Sequence, residues 1–99
     1  MKVVSLFSGI GGLDLGLETA GHETVFANDI MAIACKTYAN YFKKYRKTQV
    51  LLPAEYNNLY DDDDLPELPI VHGDIAKISK FPNADIVTGG FPCQGFSMI

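Results

Sequence analysis

KVVSLFSGIGG at residues 2–12 joins a short apolar, β-branched run to a glycine-rich loop. A continuous apolar run of this length is typical of a strand buried on both faces of a parallel sheet. In residues 13–20, Leu13, Leu17 and Ala20 fall on one helical face, and Gly21 follows where helices commonly end on glycine. The stretch therefore predicts a strand, a tight glycine turn and a helix.

The same alternation continues along the chain. Further strands are predicted over residues 23–27, 69–72 and 85–88, with a longer helix from about residue 31 to residue 44. Strands alternating with helices predict an α/β fold with a parallel sheet and crossover connections. Residues 48–69 hold three of the five prolines and a run of aspartates, so they predict an acidic loop insertion.

Each predicted strand ends in residues that can carry chemistry. These are the glycine loop after the first strand, Asp29 after the second, Asp74 after the third and Cys93 after the last. The carboxyl ends of parallel strands meet at one edge of a sheet, and open α/β sheets bind ligands there. We therefore expect the last strand beside the first, with one ligand site along this edge.

The glycine loop suggests a nucleoside ligand without phosphates. Gly9, Gly11 and Gly12 allow a tight turn, but Asp14 occupies the third position of the dinucleotide fingerprint and would disfavour a pyrophosphate at the mouth of the site. Asp29 lies 20 residues after Gly9, where a carboxylate accepts hydrogen bonds from ribose, although it could also cap the next helix. Asp74 fits a ligand contact or an Asx turn equally well. S-adenosylmethionine matches these features.

Cys93 lies in a loop rich in glycine and proline, directly after an apolar strand. Most free cysteines are buried packing residues, but a Pro-Cys-Gln turn flanked by glycines is a poor place to bury one. Cys93 is therefore a candidate nucleophile beside the cofactor. The two cysteines form no Cys-x-x-Cys pair and have no histidine cluster nearby, so we expect reduced thiols and no metal site.

The charge of −4 is unevenly distributed. Residues 55–67 carry six acidic and no basic side chains, so the remainder is slightly basic and nucleic acid is not excluded. The basic cluster at residues 43–47 would interact favourably with a helix C-terminus and with solvent, or alternatively would bind phosphate. No apolar run is long enough to cross a bilayer, so we expect a soluble, cytoplasmic protein without membrane contact.

Four motifs, in this order, resemble the DNA cytosine-5 methyltransferases. They are Phe7–Gly12, Asn28-Asp29, Gly73–Ile75 and, most specifically, Gly90–Ser97. The resemblance implies a Rossmann-like, S-adenosylmethionine-dependent methyltransferase fold. It also implies that residues 1–99 are the N-terminal part of the catalytic domain, from cofactor loop to catalytic loop, without the target-recognition domain.

The same resemblance implies a role for each matching residue. Cys93 would attack C6 of a cytosine flipped out of duplex DNA, so that C5 takes the methyl group. Gln94 and Ser97 would support the catalytic loop or touch DNA. The cofactor would be contacted by Phe7, Ser8, Gly9, Ile10, Gly11, Gly12, Leu13, Asp29, Ile30, Asp74, Ile75 and Pro92.

The family's later motifs, including the glutamate that holds the cytosine ring, are not found in residues 1–99. We therefore expect no turnover by this chain alone. It could be a fragment, one half of a split enzyme completed by a second polypeptide, or a non-catalytic remnant that binds nucleosides. A related tRNA methyltransferase is also compatible, whereas an NAD-dependent oxidoreductase is disfavoured by the glycine pattern and by the cysteine loop.

Overall fold

A computed structural model of the chain describes residues 1–6, 12–61 and 63–89. The strands are β1 (Lys2–Leu6), β2 (Glu23–Asp29), β3 (Thr48–Leu51), β4 (Leu68–His72) and β5 (Ile86–Gly89). The helices are α1 (Gly12–Thr19), α2 (Ala32–Phe42), α3 (Pro53–Leu59) and a 3₁₀ helix at Ile75–Lys77.

Within the described residues the five strands form one sheet in the order β3-β4-β2-β1-β5, and every pair is parallel. This confirms the predicted α/β class and the parallel sheet of a Rossmann-like fold. The predicted position of the last strand beside the first is also confirmed, because Val3–Leu6 pair with Ile86–Gly89. The order reverses direction around β1, which is the topological switch point where such sheets bind ligands.

Helices cover both faces of the sheet because its strands are apolar on both sides. On one face α2 packs over a cluster formed by Ala27, Cys35, Tyr38, Phe42, Leu68 and Ile70. On the other face α3 contributes to a cluster formed by Val4, Phe26, Leu51, Tyr56, Val71 and Ile78. Among the described residues, no helix has the length and apolarity that a membrane crossing requires.

The prediction of a loop over residues 48–69 is wrong for its first half, which contains β3 and α3. Pro53 lies at the start of α3, where its missing N–H costs nothing, and Glu55 accepts a 2.8 Å hydrogen bond from the backbone N–H of Leu52. Tyr56 is fully buried and anchors the helix in the core. Pro53 therefore marks the start of a helix and Pro69 lies within β4, while the aspartates Asp61, Asp63 and Asp64 follow α3.

The predicted end of α1 at Gly21 is confirmed. Gly21 has a φ of 95°, and it donates a 3.0 Å hydrogen bond to the carbonyl of Glu18. His22 donates another, also of 3.0 Å, to the carbonyl of Leu17. This pair of bonds is a Schellman motif, in which glycine adopts the left-handed conformation at low cost. The helix predicted from residue 31 to residue 44 is slightly shorter, at Ala32–Phe42.

Candidate active site

The carboxyl ends of the five strands lie along one edge of the sheet, where the sequence predicts the ligand site. The strands point the same way, and Leu6, Asp29, Leu51, His72 and Gly89 are their last residues. Of the residues predicted to form the site, the structure brings Asp29, Ile30, Asp74 and Ile75 to this edge. Gly12 and Leu13 open α1. Outside the described residues lie Phe7, Ser8, Gly9, Ile10, Gly11, Pro92, Cys93, Gln94 and Ser97.

Leu6 and Gly89 are paired across β1 and β5, and each is the last residue of its strand. Neighbouring strands lie about 4.8 Å apart. The glycine-rich segment that follows Leu6 and the cysteine-containing segment that follows Gly89 therefore start from adjacent points. Leu6 and Gly89, the described residues that precede the two motifs, are therefore neighbours although they are 83 positions apart in sequence.

Asp29 ends β2, and its carboxylate shapes the turn that leads into α2. Oδ1 accepts a 2.9 Å hydrogen bond from the backbone N–H of Met31, two residues on. Met31 itself holds the N-cap position of α2. Asp29 thus stabilises the turn before the helix, in the manner of an Asx turn. Beside it, Ile30 exposes 65% of its surface.

Asp74 lies two residues beyond the end of β4. Its Oδ1 accepts a 2.9 Å hydrogen bond from the backbone N–H of Ala76, which makes Asp74 the N-cap of the 3₁₀ helix. The Asx-type interpretation offered by the sequence is therefore correct for this oxygen. Ile75 is partly buried and packs against the core cluster that contains Val71 and Tyr56.

Acceptor oxygens next to exposed apolar surface suit a nucleoside. Ribose hydroxyls donate hydrogen bonds to carboxylates, and a base packs on apolar side chains. Asp29 and Asp74 supply carboxylates at two adjacent strand ends, and Ile30 supplies exposed apolar surface between β2 and α2. The described part of the edge therefore fits the nucleoside portion of the predicted cofactor.

Asn28 ties these two turns together, which the sequence did not indicate. Its side chain is 1% exposed, and Nδ2 donates to the carbonyls of Val71 (2.9 Å) and Gly73 (3.1 Å). The N–H of Gly73 also donates a 3.0 Å hydrogen bond, to the carbonyl of the residue after Asn28, Asp29. A polar residue at the end of an apolar strand is the signal that could have identified this contact.

Asp14 does not lie at the mouth of the site, as the sequence suggested, but in the interior. It is 1% exposed and accepts hydrogen bonds from Ser5 Oγ (2.8 Å) and Tyr38 Oη (2.5 Å). Burial raises the pKa of the Asp14 carboxyl, and the two hydrogen bonds lower it in part. Asp14 thus connects β1, α1 and α2 beneath the start of α1. Its buried side chain therefore gives no reason to expect a ligand without phosphates.

Cys35 is a packing residue. It is fully buried, and its Sγ lies 3.5 Å from the carbonyl oxygen of Asp29 and 3.9 Å from that of Val71. Burial, together with the charge of Asp29, raises the pKa of the Cys35 thiol to about 11. The thiol is therefore protonated at neutral pH and is not a nucleophile.

The basic cluster lies near the opposite edge of the sheet. Arg46 donates a 2.5 Å hydrogen bond from Nη1 to the carbonyl of Thr24, near the start of β2, and its other terminal nitrogen pairs with Glu18. Arg46 therefore fastens the end of α2 to β2 and α1. This supports the structural interpretation for Arg46, while the neighbouring lysines Lys43, Lys44 and Lys47 are exposed.

The family model described as C-5 cytosine-specific DNA methylase matches residues 1–99. The chain belongs to this family. This confirms the resemblance drawn from the four motifs, and the matched range includes both segments that leave the sheet beside β1 and β5.

Relatives of this methylase chain are bacterial Type II methyltransferases. It is 44% identical to M.NgoFVII of Neisseria gonorrhoeae, over 99% of the chain and 21% of the relative. It is 38% identical to M.BspRI of Lysinibacillus sphaericus, over 97% of the chain and 24% of the relative. It is 37% identical to M.Eco47II of Escherichia coli, over 96% of the chain and 18% of the relative. The chain thus spans about a fifth of the length of these relatives.

Proposed function

We propose that the protein containing this chain transfers a methyl group from S-adenosylmethionine to C5 of cytosine in duplex DNA. The observation that carries the proposal is the pairing of Leu6 with Gly89. It starts the predicted cofactor loop and the predicted catalytic loop from adjacent strand ends at the switch point of the sheet. Membership of the C-5 cytosine-specific DNA methylases supports the same reaction.

The proposed cofactor residues act by shape and hydrogen bonding. Asp29 would accept hydrogen bonds from the ribose, Asp74 would contact the adenine side of the nucleoside, and Ile30 would pack on the base. The glycines of residues 9–12 would let the backbone approach the cofactor closely. When bound, S-adenosylmethionine supplies an electrophilic methyl group on its sulfonium, and C5 of the activated cytosine takes that group.

Cys93 is the proposed nucleophile. Its thiolate forms a bond to C6 of a flipped-out cytosine, and the C5–C6 π electrons move onto C5 and the ring. After C5 has gained the methyl group, a base removes the C5 proton. The electron pair of that C–H bond restores the C5–C6 double bond and expels the Cys93 thiolate, so the enzyme ends as it began. Pro92, Gln94 and Ser97 would hold the loop in place.

The test uses the protein as its gene encodes it, with the 99-residue chain as a second arm. Labelled methyl groups from the cofactor should appear at C5 of cytosine in duplex DNA, and Cys93→Ser should abolish transfer while it still binds S-adenosylhomocysteine. Cys35→Ala is the matched control because that thiol lies in the core, and it should retain transfer. Turnover by Cys93→Ser would disprove the nucleophile assignment.

A 5-fluorocytosine duplex provides an independent reading of the covalent step. Fluorine cannot leave C5 as a proton does, so the adduct between Cys93 and C6 should accumulate and survive denaturation. Absence of an adduct in a protein that methylates normal duplexes would contradict the covalent mechanism. Methylation of transfer RNA in preference to duplex DNA would reassign the substrate.

The alternative is a non-catalytic subunit that binds nucleosides and needs a partner chain. The observation in its favour is that Asp29 and Asp74 lie at adjacent strand ends beside the exposed Ile30, which suits nucleoside binding whether or not methyl transfer follows. Under this alternative the 99-residue chain binds S-adenosylhomocysteine but transfers no methyl group until a second polypeptide is added. By analogy with the Type II relatives, we also expect a restriction enzyme to accompany the protein. Co-expression with the neighbouring genes would test this expectation.

A further inference from the structure

The turns that follow Asp29 and precede Asp74 both lie beyond the end of the β2–β4 ladder. The last paired residues are Asp29 and His72, after which the two chains separate towards α2 and the 3₁₀ helix. Strand pairing alone therefore does not determine how far apart the two turns lie. Among the described residues, two hydrogen bonds constrain it: the N–H of Gly73 donates to the carbonyl of Asp29, and Nδ2 of Asn28 donates to the carbonyl of Gly73.

The side-chain amide of Asn28 supplies the second of these hydrogen bonds. A carboxamide has two N–H donors, and Nδ2 of Asn28 has a carbonyl acceptor for each, on Val71 and on Gly73. Val71 faces Asn28 within the ladder, but Gly73 lies past its end. The second hydrogen bond therefore acts on the turn and not on the strand pair.

The turn at Gly73 is held from three sides. Asn28 binds its carbonyl, the carbonyl of Asp29 accepts from its N–H, and the ring of Pro53 leaves no room for a Cβ. Its φ of 153° is one that side-chain-bearing residues rarely adopt. A conformation that is over-determined in this way, directly before Asp74, indicates a position that must be kept.

We propose that Asn28 is a positioning residue for cofactor binding: its amide fixes the spacing between the Asp29 turn and the Asp74–Ile75 turn. The inference rests on the proposed function, because it assumes that both turns contact the cofactor. An apolar residue at position 28 would leave the backbone ladder intact, yet release the carbonyl of Gly73. The backbone bond from Gly73 to Asp29 would remain, but the two turns would be held less tightly in the positions that the nucleoside requires.

The test compares Asn28→Leu and Asn28→Ser with the wild-type protein as its gene encodes it. Leucine keeps a similar branched shape without donors, and serine keeps one donor. We expect affinity for S-adenosylhomocysteine, measured by calorimetry, to fall about tenfold, as the loss of one buried hydrogen bond allows. The KM for S-adenosylmethionine should rise by a similar factor, with kcat at saturating cofactor changed less than about threefold.

Arg46→Met is the matched control. It removes a partly buried polar contact to the same strand, β2, but at the opposite end of the sheet. It should lower the melting temperature without raising the KM for the cofactor. The Asn28 variants should show the KM effect even where their melting temperatures equal that of Arg46→Met.

The outcomes separate the two hypotheses. If the wild-type protein does not bind S-adenosylhomocysteine, the proposed function fails and this inference fails with it. If the wild type binds and both Asn28 variants bind equally well, only the positioning role is overturned. The same holds if the kcat and KM of the Asn28 variants change no differently from those of Arg46→Met. Failure of both Asn28 variants to fold, while Arg46→Met folds, would make Asn28 a folding residue and also overturn it.

Discussion

The hydroxyl of Tyr38 donates a 2.5 Å hydrogen bond to the carboxylate of Asp14, and both side chains are almost completely buried. Tyr38 comes from the middle of α2 and Asp14 from the first turn of α1. Ser5 of β1 donates to the other carboxylate oxygen. The trio therefore connects the first strand and the first two helices.

Tyr38→Phe should destabilise the protein by about 1.5–3 kcal/mol, because it removes a buried hydrogen bond to a charged group and leaves the carboxylate with one donor fewer. Urea unfolding followed by circular dichroism measures the change. Tyr45→Phe is the control: the Tyr45 side chain is 66% exposed, so its hydroxyl is expected to contribute little. Equal losses in the two variants would contradict a specific role for the Tyr38–Asp14 contact.

Asp14 also predicts a pH dependence of stability. Burial raises its pKa above the ordinary 3.8, so in the pH range just above that value the folded state binds a proton that the unfolded state releases. This contribution to stability is therefore lost as the pH rises. The free energy of unfolding of the wild type, minus that of Asp14→Asn, should increase as the pH falls from 7 towards 4. A difference that increases with pH would show that the hydrogen bonds from Ser5 and Tyr38 outweigh burial.

The strands of the sheet could be predicted from sequence because four of them are continuous apolar runs. A parallel arrangement then brings Asp29 and Asp74 to one edge without any knowledge of the loops. β3 was not predicted because Thr48–Leu51 is a short edge strand in which Gln49 and Val50 are exposed. Such a strand is recognised only by its pairing with β4, which is not a local property of the sequence.

The contacts around the site were less predictable than the site itself. The position of Asp14 after the glycines suggested a side chain at the mouth, yet its partner Tyr38 is 24 residues away. The side chains that α1 and α2 bring into contact depend on how the two helices pack on the sheet. A single sequence does not specify that packing. The same holds for Asn28, whose acceptors are 43 and 45 residues away.

Arg46→Met should cost about 2–3 kcal/mol. The ion pair with Glu18 has side chains only 13% and 16% exposed, so the substitution leaves a carboxylate largely out of water and frees the carbonyl of Thr24. The exposed pair of Lys80 with Asp61, whose side chains are 54% and 78% exposed, offers the comparison. Lys80→Met should cost less than about 1 kcal/mol. Similar losses for both substitutions would mean that burial does not strengthen the first pair.

The two cysteines should differ in reactivity. Cys35 is fully buried with a pKa raised to about 11, so iodoacetamide at pH 8 should leave it unmodified in the folded protein. Cys93, proposed as the nucleophile, should be alkylated under the same conditions, and mass spectrometry of the peptides distinguishes the two. In urea both should react. Labelling of Cys35 at the rate of Cys93 before unfolding would refute the assignment of Cys35 to the core.

Three glycines should respond differently to alanine. Gly16 lies within α1, and outside the helix backbone no atom of the described residues comes within 4 Å of the place that an alanine methyl group would take. Gly16→Ala should therefore stabilise the protein by about 0.5–1 kcal/mol. Gly21 has the same open space but a φ of 95°, so Gly21→Ala should cost about 1–2 kcal/mol through backbone strain. Gly73 combines a φ of 153° with a Cβ position only 2.8 and 2.9 Å from two atoms of Pro53, and its loss should exceed that of Gly21.

Melting temperatures of the three glycine variants give the order directly. Space and backbone conformation are separated by the comparison, because Gly21 tests strain alone and Gly73 tests strain with a steric clash. Relief of the clash by Pro53→Ala in the Gly73→Ala background should recover part of the loss, since the contacting atoms belong to the proline ring. No recovery would assign the whole cost to the backbone, and the turn before Asp74 would then be maintained by its conformation and hydrogen bonds without help from α3.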